Sequence, residues 1–358
     1  MTRRRRHGRG WLLGAFILLV LGGTGGAGGA LLLADTPLVP SPVIGDRGQP
    51  PPPDHPAPFT GLALGDPGLA DRPAIAVKVD AAEQAGPPVG LGRADVVVAT
   101  PIEDGETRFT AVYQSDWPRE VGPVRSAREH DADLVGAFAP VLATSGAAAP
   151  VRAQLAATGL TVVEEGRPAE AWWRVPARPA PHNLFVDVRA LAPATAGRSA
   201  VDPGWRHAEV TPARATDLTT ATLVGSAFEP VTWTWEDEAW QRSSGGVLQR
   251  AADRAEEPAE DAPAPVTAAN VIVLEVATAP GAHVDAAGNT SLTVEVLGEG
   301  DAWLLRGGAR IEGRWQRPAA SAPLSLTAAN GTELPLQRGP VWIEVVPAPV
   351  ALEPDAGT

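Results

Sequence analysis

Between residues 73 and 197 short apolar runs alternate with stretches of helical spacing. Ala74-Ile75-Ala76-Val77 and Asp95-Val96-Val97-Val98-Ala99 lack the polar positions of a half-exposed strand, so they predict strands buried on both faces. Arg108 to Gln114 alternates through Phe109, Thr110, Ala111, Val112 and Tyr113, which suits a strand. Leu134 and Phe138 give Glu129–Phe138 helical spacing. Val141-Leu142-Ala143 predicts a short strand, Gly146 a break, Val151, Leu155 and Leu160 a helix, and Val162-Val163 another strand. Strands alternating with helices predict a layered α/β domain over residues 59–200.

After a connector at 201–225 the helical signal fades. Val231–Trp235, Val271–Val276, Leu292–Val296, Trp303–Leu305, Ile311–Trp315 and Val341–Val346 are strand candidates. Turn signals such as Ala287-Gly288-Asn289 and Arg306-Gly307-Gly308 separate them. A mainly β domain is expected over 226–348, interrupted by an acidic, disordered loop at 251–265 and followed by a tail at 349–358.

The first ten residues form a basic tail with Arg3, Arg4, Arg5, Arg6 and Arg9. Trp11 to Ala34 is then uncharged for 24 residues, and a spanning helix needs about 20 apolar ones. This predicts a transmembrane signal-anchor with the arginines cytoplasmic and the bulk of the chain extracytoplasmic. A cleaved signal peptide is the alternative, with Leu12–Leu21 as its apolar core and Ala27-Gly28-Gly29-Ala30 as its cleavage region. Residues 35–58 hold Pro37, Pro40, Pro42 and Pro50–Pro53, the composition of an extended linker. The fold class expected is therefore α+β: an N-terminal layered α/β domain and a C-terminal mainly β domain, after one N-terminal transmembrane helix.

Composition removes several chemistries. The 358 residues contain no cysteine, which excludes disulfides, thiolate catalysis, Cys-bound zinc and a lipidated N-terminal Cys. Forty-two acidic residues oppose 29 basic ones, arguing against nucleic acid as a partner. His7, His55, His130, His182, His207 and His283 show no metal-binding spacing, and neither a metal nor a cofactor is implied. Nucleophile motifs such as Gly-x-Ser-x-Gly are absent.

Chemistry concentrates in Gly122-Pro123-Val124-Arg125-Ser126-Ala127-Arg128-Glu129. Ser126 and Glu129 have capping-box spacing, which predicts a helix from Ala127 with Ser126 as N-cap. Arg125 and Arg128 then stand at a positive dipole end, disfavoured by about 0.3–1 kcal/mol each unless an anion docks there. Glu103, Asp104, Glu106, Glu129, Asp131 and Asp133 offer the opposing reading of ordinary ion pairs. Thr144-Ser145-Gly146 is a turn or a backbone anion cradle. A second stretch, Trp172 to Leu184, places Arg174, His182 and Asn183 in a Pro-stiffened loop, where a histidine suits a structural role, acid–base work or anion contact. The tryptophans at 233, 235, 240, 303, 315 and 342 read as packing residues.

Several ordered motifs carry a resemblance: Arg72-Pro73-Ala74-Ile75-Ala76-Val77-Lys78-Val79-Asp80, Arg93-Ala94-Asp95-Val96-Val97, Thr107 to Val112, Gly122 to Arg128, Pro181-His182-Asn183-Leu184, Ile311-Glu312-Gly313-Arg314-Trp315 and Val341 to Pro347. Over residues 60–348 the chain resembles the YerB-like lipoprotein family, domain of unknown function 3048. The resemblance implies an α/β domain and a β-rich domain with no established activity. It marks Glu103, Arg108, Arg125, Ser126, Arg128, Arg174, His182 and Asn183 as ligand-binding candidates. The family's lipidation Cys is absent, and Glu129 replaces its usual aromatic. The expectation is a membrane-anchored cell-envelope protein binding a phosphate- or carboxylate-bearing envelope ligand, with the membrane and an envelope protein as partners. A transferase or hydrolase acting on phosphate-containing wall precursors, and a non-catalytic scaffold, are the rivals. Whether the chain is an enzyme stays open at this level.

Overall fold

The computed structural model describes residues 51–212, 214–224, 228–255, 262–284 and 288–354. Five strands form the N-terminal half of a mixed sheet: β1 Ile75–Asp80, β2 Val96–Pro101, β3 Thr107–Tyr113, β4 Val141–Thr144 and β5 Thr161–Glu164. Every residue of β1, β2 and β4 is buried, which explains their near-continuous apolar runs. β3 runs antiparallel to β1 and β2, while β1, β4 and β5 are mutually parallel neighbours.

The same sheet continues into the C-terminal half. Val341–Pro347 pairs in parallel with β2, from Val96 opposite Val341 to Ala99 opposite Glu344. Beyond it lie Asn270–Val276, Gly298–Arg306, Ala309–Arg317 and Ser325–Thr327, in that order. The two sequence regions thus share one eleven-stranded sheet.

Helices and C-terminal segments cover one face, where Ala76, Val98 and Val112 pack with Leu134, Phe138, Leu155 and Leu326. A smaller sheet covers the other, where Val77, Phe109 and Trp342 pack with Leu223, Trp233 and Trp240. A hairpin of β6 Trp172–Arg174 and β7 Leu184–Val186 adds to that second core. The ends of the acidic stretch 251–265 pair with each other, Arg250 opposite Pro265 and Ala251 opposite Ala264, and residues 256–261 lie outside the described residues.

Two expectations need correction. No helix among the described residues is long and apolar enough to cross a membrane. The transmembrane segment expected at 11–34 lies outside the described residues, as do the basic tail and most of the linker. The described residues form an α+β fold that contains no such helix, so the membrane-anchored, single-pass extracytoplasmic placement, with the membrane as partner, has no support in them. The second concerns the helix from Ala127. Backbone helix begins only at α1 Asp131–Leu134 and passes into a tighter 3-10 turn at Val135–Ala137. Ser126 does not cap it: its hydroxyl lies 3.3 Å from that of Ser145, and the Asp131 carboxylate takes the Arg128 N–H at 2.7 Å. Glu129 reaches away to the hydroxyls of Ser291 and Thr293 at 3.2 and 3.3 Å. The later helix α2, Ala149–Ala157, forms as expected but stops short of Leu160.

Candidate functional site

Lys78 and Asp80 stand two residues apart in β1 and therefore share a face. Thr110 and Arg108 of β3 sit opposite them in register. The chain from Gly122 to Arg125 runs extended beside the end of β1, tied to it by Arg125 N–H to the Lys78 carbonyl (3.0 Å) and Asp80 N–H to the Pro123 carbonyl (2.9 Å), and residues 126–131 then turn to bring Asp131 to Lys78. The Arg125 carbonyl accepts from Ser145 N–H and the Thr144 hydroxyl at the end of β4. Gly122 is required by close approach: a Cβ there would meet the Leu184 carbonyl at 2.7 Å and the Phe185 ring at 2.8 Å. The motif lies beside the carboxyl end of a parallel strand pair, where open α/β sheets commonly place ligand sites.

Burying charge here costs several kcal/mol per ion unless partners compensate. Lys78 is fully buried and donates to Asp131 at 2.8 Å and to the Thr110 hydroxyl at 2.9 Å. Burial pushes the Asp131 carboxyl up, but Lys78 and the Arg128 N–H outweigh it and keep the group ionised. Next to it His130 is buried with neither ring nitrogen hydrogen-bonded among the described residues, its Nε2 3.9 Å from Asp131. Burial pushes its pKa down to about 4, so it is neutral.

Asp80, 2% exposed, takes two donors on one oxygen: Arg125 Nη1 at 2.6 Å and His182 Nδ1 at 2.7 Å. Burial raises its carboxyl, yet the Arg125 charge and the His182 hydrogen bond hold it below the usual range. Glu103 is gripped by Arg128, whose Nε lies 2.8 Å from both carboxylate oxygens and whose Nη2 also donates to it. Burial again raises this carboxyl and the Arg128 contact outweighs it.

Arg108 differs. It is 2% exposed, and among the described residues its Nη1 donates to the Ser126 carbonyl at 3.2 Å but no carboxylate binds it. Its Nε is buried without a partner among the described residues. Burial, then the charges of Arg128 and Arg125, bring its pKa down to about 10.

The structure therefore brings Glu103, Arg108, Arg125, Ser126, Arg128 and His182 together. Arg174 and Asn183 form a separate exposed pair: Arg174 donates to the Asn183 side-chain oxygen at 2.7 Å and to Glu165 at 2.8 Å. Arg125 and Arg128 are not free cations at a helix start, as the capping reading required; both are salt-bridged, and the helix beyond them has four residues. Lys78, Asp80, Thr110 and Asp131 belong to the cluster and were not among the candidates. Their signal was two charges, at 78 and 80, in a strand otherwise apolar. No group of metal-binding side chains occurs among the described residues.

The sequence matches the family described as protein of unknown function (DUF3048), with its N-terminal domain over residues 59–201 and its C-terminal domain over 221–343. A putative lipoprotein, YerB, of Bacillus subtilis (strain 168) is 27% identical over 307 residues, spanning 81% of this chain and 86% of that protein. The crystal structure of the YerB protein from Bacillus subtilis shares the fold, with a TM-score of 0.66 at 24% identity over 83% of this chain and 99% of that one. The polar cluster thus sits within the N-terminal match, and the chain belongs to the YerB-like family of DUF3048 proteins.

Proposed function

We propose that the cluster is a recognition site for a singly charged oxyanion. The observation that carries this reading is Arg108, a buried guanidinium without a carboxylate and with an unpartnered Nε. The interacting side chains are four cations, Lys78, Arg108, Arg125 and Arg128, against three carboxylates, Asp80, Glu103 and Asp131. One positive charge is left over, which matches a phosphodiester or carboxylate better than a dianion. Arg125 and Arg128 keep 21% and 17% of their side-chain surface exposed, so the rim is open to a guest. Arginine suits the task because its planar fork donates to two oxygens at once.

The test is calorimetric titration of diethyl phosphate and of acetate into the full chain and into Arg108→Met. Binding of one of these monoanions that Arg108→Met abolishes supports the reading. Equal affinity in both proteins, or no binding, overturns it.

A further inference from the structure

Resting on that reading, we propose that the site is catalytic, with His182 as general base for hydrolysis of a phosphodiester. Asp80 fixes the imidazole. Its oxygen is 2.7 Å from Nδ1, too close to face a nitrogen lone pair, so Nδ1 carries a proton, and in the neutral imidazole the lone pair is on Nε2. Arg125 Nη1, 3.1 Å from Nδ1, is a second donor to the same oxygen and not a donor to the ring. Nε2 has no partner among the described residues, and the side chain keeps 13% of its surface exposed at the rim.

A structural role explains this arrangement poorly. Arg125 already balances the Asp80 charge, and the Ala82 N–H adds a further donor at 3.2 Å. The imidazole adds one more donor to a carboxylate already supplied by Arg125 and Ala82, and the carboxylate in turn sets the tautomer and orientation of the imidazole. A buried carboxylate orienting a histidine whose other nitrogen faces outward is the arrangement of a general base. The neighbouring arginines meet the second requirement, stabilising negative charge that grows on phosphoryl oxygens.

The step balances without a further reactant than water. His182 Nε2 takes a proton from water as the water oxygen bonds to phosphorus. The bond from phosphorus to the leaving oxygen breaks, and that oxygen departs with the electron pair. The products are a phosphomonoester and an alcohol or phenol, with the proton on Nε2 returned to the leaving group or to solvent. A carboxylate bound in the same place offers no such bond to break.

The probe is bis(p-nitrophenyl) phosphate with the full chain, p-nitrophenolate release being followed by absorbance and diethyl phosphate binding by calorimetry. Release is expected, and His182→Ala should lower kcat by about 10²–10⁴-fold. His182→Asn, which fills more of the same space, should show the same loss. Added imidazole should restore part of the His182→Ala rate. Diethyl phosphate binding without release of p-nitrophenolate overturns catalysis and leaves the recognition site standing. Neither binding nor release overturns both. Release that survives in either variant, or a loss that imidazole does not restore, overturns the role of His182.

Discussion

Arg108 and Arg242 are equally buried, at 2% exposure each; Arg108 lies on one face of the large sheet, and Arg242, from the smaller sheet, packs against the other. The next residue after Arg108, Phe109, points to the other side, where its ring centroid is 5.4 Å from the Arg242 guanidinium. There the cation is fully provided for. Arg242 Nε donates to Glu344 at 2.8 Å and Nη1 to Gln249 at 2.7 Å, and its guanidinium also lies over Trp342. Trp233 completes the Glu344 oxygen at 3.2 Å. Arg317 shows a third solution: carbonyls of Asp133, Ala320 and Ala322 surround it, and burial brings its pKa down to about 10. Arg108 reaches the same value with one carbonyl and two repelling arginines. The Arg242 and Arg317 guanidiniums are enclosed by acceptors, whereas Arg108 meets one carbonyl and has partly exposed arginines beside it.

The comparison breaks or sharpens on measurable stabilities. The largest effect is expected for Arg242→Met. It leaves Glu344 buried with only an indole N–H, and losing one partner of a buried pair costs about 3–5 kcal/mol in chemical denaturation.

Next is the pH response of His130. Its pKa is about 4 when folded against 6.5 as the reference, so the unfolded chain binds more protons between those values. Stability therefore falls as pH drops from 6.5 towards 4, by at most about 3 kcal/mol. His130→Gln should flatten that part of the stability–pH curve. The loss at lower pH, from protonation of Asp80 and Glu103, should remain, because both carboxyls are held below their usual range.

Arg108→Met should change stability by less than about 1 kcal/mol, or raise it, since it removes a desolvated charge repelled by its neighbours. A loss as large as that for Arg242→Met would show that the two arginines do the same structural work. The smallest effect belongs to Arg174→Ala. Its pair with Glu165 is 47% and 35% exposed, and such a surface pair contributes about 0–1 kcal/mol to denaturation stability.

Strand positions were readable because burial on both faces demands unbroken apolar runs, as in Ile75–Val77 and Val96–Ala99. The helix start was not. The Ser126–Glu129 spacing carried a local signal, but tertiary hydrogen bonds to β1 and β4 hold residues 125–127 extended. The joining of both halves was also hidden, since nothing in Val341–Pro347 marks β2 as its neighbour. Among the site residues, Arg125, Arg128 and His182 were legible as chemistry clustered in two short segments, and Arg108 only through the family motifs. Asp80 and Lys78 were passed over because a strand pattern is judged by its majority.

By itself the sequence determined that cysteine chemistry is absent, where the most apolar strands run, and the family to which the chain belongs. Local composition and period are properties of neighbouring residues, so they survive without a fold. Only the tertiary structure decided which cation meets which carboxylate. Pairing depends on strand register and on a covering segment drawn from dozens of residues away, as with Asp80 and His182, and those distances exist only once the chain has closed on itself.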